Sequence, residues 1–100
     1  MPIDIRPDHL QIVLDIIKKH IPNHEIWVFG SRSNGGAKKH SDLDLLVKGV
    51  APLALGERAN LLNDFSESNL PYKVDVVDWY AASEGFKQAI AGDLLLVDKN

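Results

Sequence analysis

The chain has 100 residues, 45% of them hydrophobic and 25% charged, with a formal net charge of −3. That length supports one core and one domain, residues 1–100, and the composition is that of a globular protein rather than a disordered one. The acidic balance argues against a sequence-independent grip on DNA or RNA, which needs a broad basic face.

The opening MPIDIRPDHL has no basic segment followed by an apolar one, so no signal peptide is expected. No apolar run approaches the roughly 20 residues that cross a bilayer. The chain lacks cysteine, which removes disulfides and thiolate chemistry and fits a reducing cytoplasm. Pro7 suits a first helical position, and Arg6 before it is biased away from helix. Leu10, Val13, Leu14 and Ile17 then recur at helical spacing. Lys18, Lys19 and His20 fall in the last turn, where positive charge suits the helix dipole. The first helix is therefore expected over Pro7–His20, ended by Pro22-Asn23.

Glu25–Phe29 reads as a strand covered on both faces, with Trp27 and Phe29 on one side and Ile26 and Val28 on the other. Gly30–His40 is a polar loop that opens with a short helical turn. Asp42–Lys48 is the second strand: Leu43, Leu45 and Val47 face one way, and Asp42, Asp44 and Leu46 face the other. A helix over Leu53–Ser68 carries Leu55, Ala59, Leu62 and Phe65 on its apolar stripe. Tyr72–Val77 is a third strand, and Ser83 caps a last helix bearing Phe86, Ala89 and Ile90. Gly92 stops that helix, and Leu94–Val97 adds an edge strand. The loop-linked strands suit an antiparallel pair and the helix-linked ones a parallel pair. The fold class is therefore α+β, a small mixed sheet with helices packed on it.

Two carboxylates, Asp42 and Asp44, sit at i and i+2 on a strand. They share a face about 6–7 Å apart, within reach of one cation or of two ions held about 3.5–4 Å apart. Magnesium suits such ligands, being a hard cation that takes carboxylate and phosphate oxygens. Alone, an Asp-x-Asp fits the solvent face of an edge strand equally well. Gly30-Ser31 shifts that balance: a glycine ending a strand lets backbone approach a ligand, and Ser31 offers a hydroxyl and an N–H to a phosphate. Arg32 adds a forked cation expected to grip the same phosphates. A plain solvated hairpin loop is the competing reading. No Walker lysine or dinucleotide fingerprint is present. Asp75 interrupts the apolar strand KVDVVD and is the candidate third acid. Asp78 is read as a turn cap, and Asp64, Glu67 and Glu84 as exposed helix acids. Trp79 and Tyr80 suit either a contact surface or closure of the core under the last helix. His9, His20 and His24 show no ligand spacing, and His40, just before Ser41-Asp42, suits a contact to phosphate or metal less well than a solvated loop position.

Gly30-Ser31-Arg32, Gly35, Ala37 and Ser41-Asp42-Leu43-Asp44-Leu45 together resemble the Gly-Ser…Asp-x-Asp signature of the DNA polymerase beta-type nucleotidyltransferase superfamily. Asp75 falls where that superfamily places its third acid. The short chain is similar to the minimal nucleotidyltransferases (MNT), which are paired with HEPN-domain toxins. The resemblance implies that Asp42, Asp44 and Asp75 bind Mg²⁺ and that Gly30, Ser31 and Arg32 hold the triphosphate. It also implies transfer of AMP from ATP to a hydroxyl, in such pairs a tyrosine of the HEPN toxin. Larger relatives carry an added acceptor domain, so here a partner protein or a second copy is expected to complete the acceptor site. Two other functions stay open. One is a non-catalytic antitoxin that occludes its partner; the other is a subunit that modifies a small molecule.

Overall fold

The computed structural model describes residues 3–99. Helix α1 (Pro7–His20) and strand β1 (Glu25–Phe29) occupy their predicted spans. A single helical turn, α2 (Ser31–Asn34), opens the loop before strand β2 (Leu43–Lys48). Helix α3 (Leu55–Glu67), strand β3 (Val74–Asp78), helix α4 (Glu84–Ile90), a 3₁₀ turn (Ala91–Asp93) and strand β4 (Leu95–Lys99) follow. The ends have local causes. Arg6 is held extended by Pro7, the Ser83 hydroxyl accepts the Phe86 N–H, and the Glu57 carboxylate accepts the Ala54 N–H at 3.0 Å. No helix among the described residues is long and apolar enough to cross a membrane.

The sheet order is β3-β2-β1-β4. β1 is antiparallel to β2 and to β4, while β2 and β3 are parallel, joined by α3. The mixed α+β sheet expected from the sequence is thus the observed one. Alternation divides its two faces. Ile26, Val28, Leu43, Leu45, Val47, Val74 and Val76 point to α1 and α3 and meet Val13, Ile17, Leu61 and Phe65. Each fully buried Leu or Ile here contributes about 1.5–3 kcal/mol by leaving water. Phe29, Leu46 and Ile90 form the opposite core, closed by Trp27, Val77, Trp79 and Phe86.

Helix α3 departs from its expected stripe. Leu61 and Phe65 are its buried residues, while Leu55 is 88% exposed and Ala59 is exposed. The residues that meet the core, Leu61, Leu62 and Phe65, all lie in the second half of the helix. Asp64 is not an idle surface acid. It bonds His20 Nε2 at 2.6 Å and Lys19 Nζ at 3.3 Å, tying α3 to the end of α1. The hydrogen bonds from His20 and Lys19 hold the Asp64 carboxyl below its usual range.

Asp78 does cap: its buried carboxylate accepts the Leu53 N–H at 2.8 Å and the Tyr80 N–H at 3.1 Å. Trp79 closes the second core, with Lys87 and Lys48 ammonium groups 4.1 and 4.8 Å from its ring centre. The Tyr80 hydroxyl donates to the Gly49 carbonyl at 2.7 Å.

Candidate active site

Three neighbouring strands bring the candidate residues together. Phe29 of β1 pairs with Asp44 of β2, and Asp44 pairs with Asp75 of β3. Phe29, Asp44 and Asp75 therefore stand in a row across the sheet, one strand spacing of about 4.8 Å apart, and Gly30 follows Phe29 directly. Asp42 lies just before β2, on the same face as Asp44, and is exposed. Their side of the sheet is the one closed further along by α4.

Gly30 lies against the Asp44 carboxylate. A Cβ added to Gly30 would sit 2.5 Å from Asp44 Oδ2. Its φ of 76° and ψ of −153° belong to a region that side chains avoid. The absent side chain thus lets the turn at Ser31 close down beside the acids. Partial burial first, and then the charges of Asp75 and Asp42, hold the Asp44 carboxyl above its usual range. The acids repel one another, so a cation between them would be welcome. Among the described residues no three or more His, Cys, Asp or Glu side chains are grouped closely enough to hold a metal ion, these three acids included. Asp42 is exposed, while Asp44 and Asp75 are half-buried.

This row of acids beside a glycine-serine turn is matched in known proteins. The model of the family described as polymerase beta, nucleotidyltransferase, matches residues 11–100. The chain belongs to that family. The nucleotidyltransferase is 44% identical over 88 residues to the probable protein adenylyltransferase MntA of Haemophilus influenzae, covering 88% of this chain and 77% of that relative. Its structure is similar to a toxin–antitoxin crystal structure with AMP-PNP: the TM-score is 0.77 at 26% identity, over 91% of this chain and 73% of that one. It also resembles the spectinomycin adenyltransferase AAD(9) of Enterococcus faecialis, crystallised with ATP and spectinomycin. There the TM-score is 0.57 at 27% identity, over 71% of this chain and only 32% of that longer one.

Arg32 is not where the sequence reading put it. Its side chain is buried and its guanidinium is spent on backbone carbonyls. Nε and NH2 donate to the Ser41 carbonyl at 3.0 and 2.8 Å, NH1 to the Asp4 carbonyl at 2.9 Å, and NH2 also to the Lys39 carbonyl at 3.3 Å. The Tyr72 ring lies 3.9 Å below it. Facing inward, it cannot grip a phosphate beside Ser31. It braces the loop instead, fixing the carbonyl that immediately precedes Asp42. Arg32→Lys is accordingly expected to cost about 1–3 kcal/mol through unmet buried carbonyls. Thermal melting should show it, with kcat of nucleotidyl transfer falling more than KM rises.

The nucleotidyltransferase has one neighbour of the acids that the sequence reading passed over. Lys73 Nζ lies 3.4 Å from Asp75 Oδ1, with both side chains largely solvated. Alternation along Lys73-Val74-Asp75 was the available signal, since i and i+2 share a face. His40 is exposed, and none of the other histidines neighbours the acids in the strand pairing.

Proposed function

We propose that this nucleotidyltransferase moves AMP from ATP onto a tyrosine hydroxyl of a HEPN-domain toxin and so acts as its antitoxin. The observation that carries the reading is the pairing of Asp44 with Asp75, with Asp42 beside them and Gly30 against the Asp44 carboxylate. The 44% identity to a probable protein adenylyltransferase supports the choice of transferred group and of a protein acceptor.

Asp42, Asp44 and Asp75 are the residues that would hold Mg²⁺. Their all-oxygen donor set suits it, and the mutual repulsion at Asp44 is what a bound cation relieves. Bound there, Mg²⁺ supplies charge neutralisation on the phosphates and at the leaving pyrophosphate. The Ser31 hydroxyl and N–H donate to the triphosphate, and Gly30 lets that backbone approach. The acceptor oxygen forms a bond to the α-phosphorus, the bond from that phosphorus to pyrophosphate breaks, and the hydroxyl proton passes to Asp75. No covalent enzyme intermediate is needed; orientation and electrostatics carry the step.

The test is incubation with Mg²⁺, labelled ATP and a HEPN toxin, followed by mass spectrometry for AMP on tyrosine. In cells, the Asp42→Asn, Asp44→Asn double variant should lose protection against that toxin. Protection equal to wild type would replace the enzymatic account by simple occlusion of the toxin.

A further inference from the structure

The outer edge of β3 carries features that the transfer chemistry does not use. β3 is the last strand of the sheet on its side. The Leu43 N–H bonds the Lys73 carbonyl and the Trp79 N–H bonds the Val47 carbonyl. In a parallel ladder this turns the polar backbone of Lys73, Asp75 and Val77 toward β2 and that of Val74 and Val76 outward. Open edges of this kind accept another strand unless they are covered.

Two cavities flank that edge, each of about 480 Å³. The first is bounded by Lys73–Asp75 and by Leu62, Phe65 and Leu70. The second is bounded by Leu53, Leu55, Val77 and Ala81. Arg58 borders both and donates to the Val76 carbonyl at 3.0 Å. They form one groove along the strand, with Arg58 as its divider. Leu55, 88% exposed, is an uncovered apolar wall at one end.

We infer that this groove is where the acceptor docks, as an extended polypeptide segment that lies along β3 and presents its hydroxyl residue opposite Asp75. The inference rests on the proposed reading of Asp75 and names how its substrate is held. The occupant follows from what the groove offers. The Val76 carbonyl is already taken by Arg58, but the outward N–H and C=O of Val74 and the N–H of Val76 match another backbone, and apolar hollows take alternate side chains of an added strand. The residue opposite Asp75 shares its face, with Cβ atoms about 4.5–5.5 Å apart. Its hydroxyl therefore meets the side of the sheet that bears Asp44 and Gly30. The next residues on either side turn to the other face, one toward the hollow lined by Leu62 and Phe65 and one toward that lined by Leu53 and Leu55. The acceptor so defined is an extended stretch with apolar residues next to its tyrosine.

The experiment uses synthetic nine-residue peptides with a central tyrosine, ATP and Mg²⁺, and reads AMP addition by mass spectrometry and pyrophosphate release in parallel. Apolar neighbours of the tyrosine should give the highest kcat/KM. Lys or Glu neighbours, or N-methylation of the peptide backbone, should lower it tenfold or more. Leu55→Glu and Ser66→Trp, both at exposed positions along the groove, should do the same while leaving slow ATP turnover with water unchanged. Modification indifferent to backbone methylation and to both substitutions would overturn the groove, as would ATP turnover with no peptide modified. A wild-type protein that releases no pyrophosphate with any acceptor removes the reading of Asp75, and the groove with it.

Discussion

Asp44→Asn should abolish AMP transfer and yield a protein that melts at a higher temperature. The activity loss should be on the order of 10³-fold, the scale of removing one preorganised charge-stabilising group. The gain in stability has an independent origin. Asp44 is held above its usual carboxyl range by burial and by the charges of Asp75 and Asp42. An acid with a raised folded pKa binds its proton more readily folded than unfolded, so at neutral pH its charge works against the fold. Lowering the pH through that raised pKa relieves the cost; raising it restores the cost in full. Amide replacement removes the charge at every pH. Wild type should therefore gain on the variant as pH falls from neutral toward the carboxyl range, an outcome that thermal melts at several pH values would check. A variant no more stable than wild type at pH 7 would mean that the three acids do not share one field.

Gly30→Ala carries the second large effect. The backbone conformation at Gly30, with φ 76° and ψ −153°, costs a side chain about 1–3 kcal/mol. Melting should fall by about 4–8 °C for each kcal/mol in a domain of this size. The new methyl would also meet Asp44 Oδ2 at 2.5 Å, so either the carboxylate or the turn must move. Activity should thus drop well beyond what the lost stability explains, and lower temperature should not restore it. Full activity at low temperature would show that the close approach is not required.

These effects are legible in part in the amino-acid sequence. Alternation in β2 told which way Asp42 and Asp44 point, because a strand has only two faces. The i and i+2 spacing fixed their relation without any knowledge of neighbours. Asp75 was legible as an acid in an apolar run, an arrangement that burial alone would oppose. Arg32 was misread because a forked cation suits a phosphate and a cluster of carbonyls equally, and the sequence does not say which lies within reach. The pairing of His20 with Asp64 joins residues far apart in the chain, and no local pattern announces it. Leu55 obeyed helical spacing yet is exposed, since periodicity says where a stripe points and not how far the sheet beneath it extends. Local geometry was readable; anything set by which distant segment arrives was not.

The alternation of β2 has a consequence for how errors in the site are avoided. Leu43, Leu45 and Val47 are fully buried on one face while Asp44 occupies the other. A slip of one residue against β1 or β3 would drive Asp44 into the apolar layer and turn Leu43, Leu45 and Val47 out of it onto the other face. Misalignment of the acids is therefore not a small disturbance of function but a failure to fold. The packing that holds the core together is therefore also what keeps the acids in line.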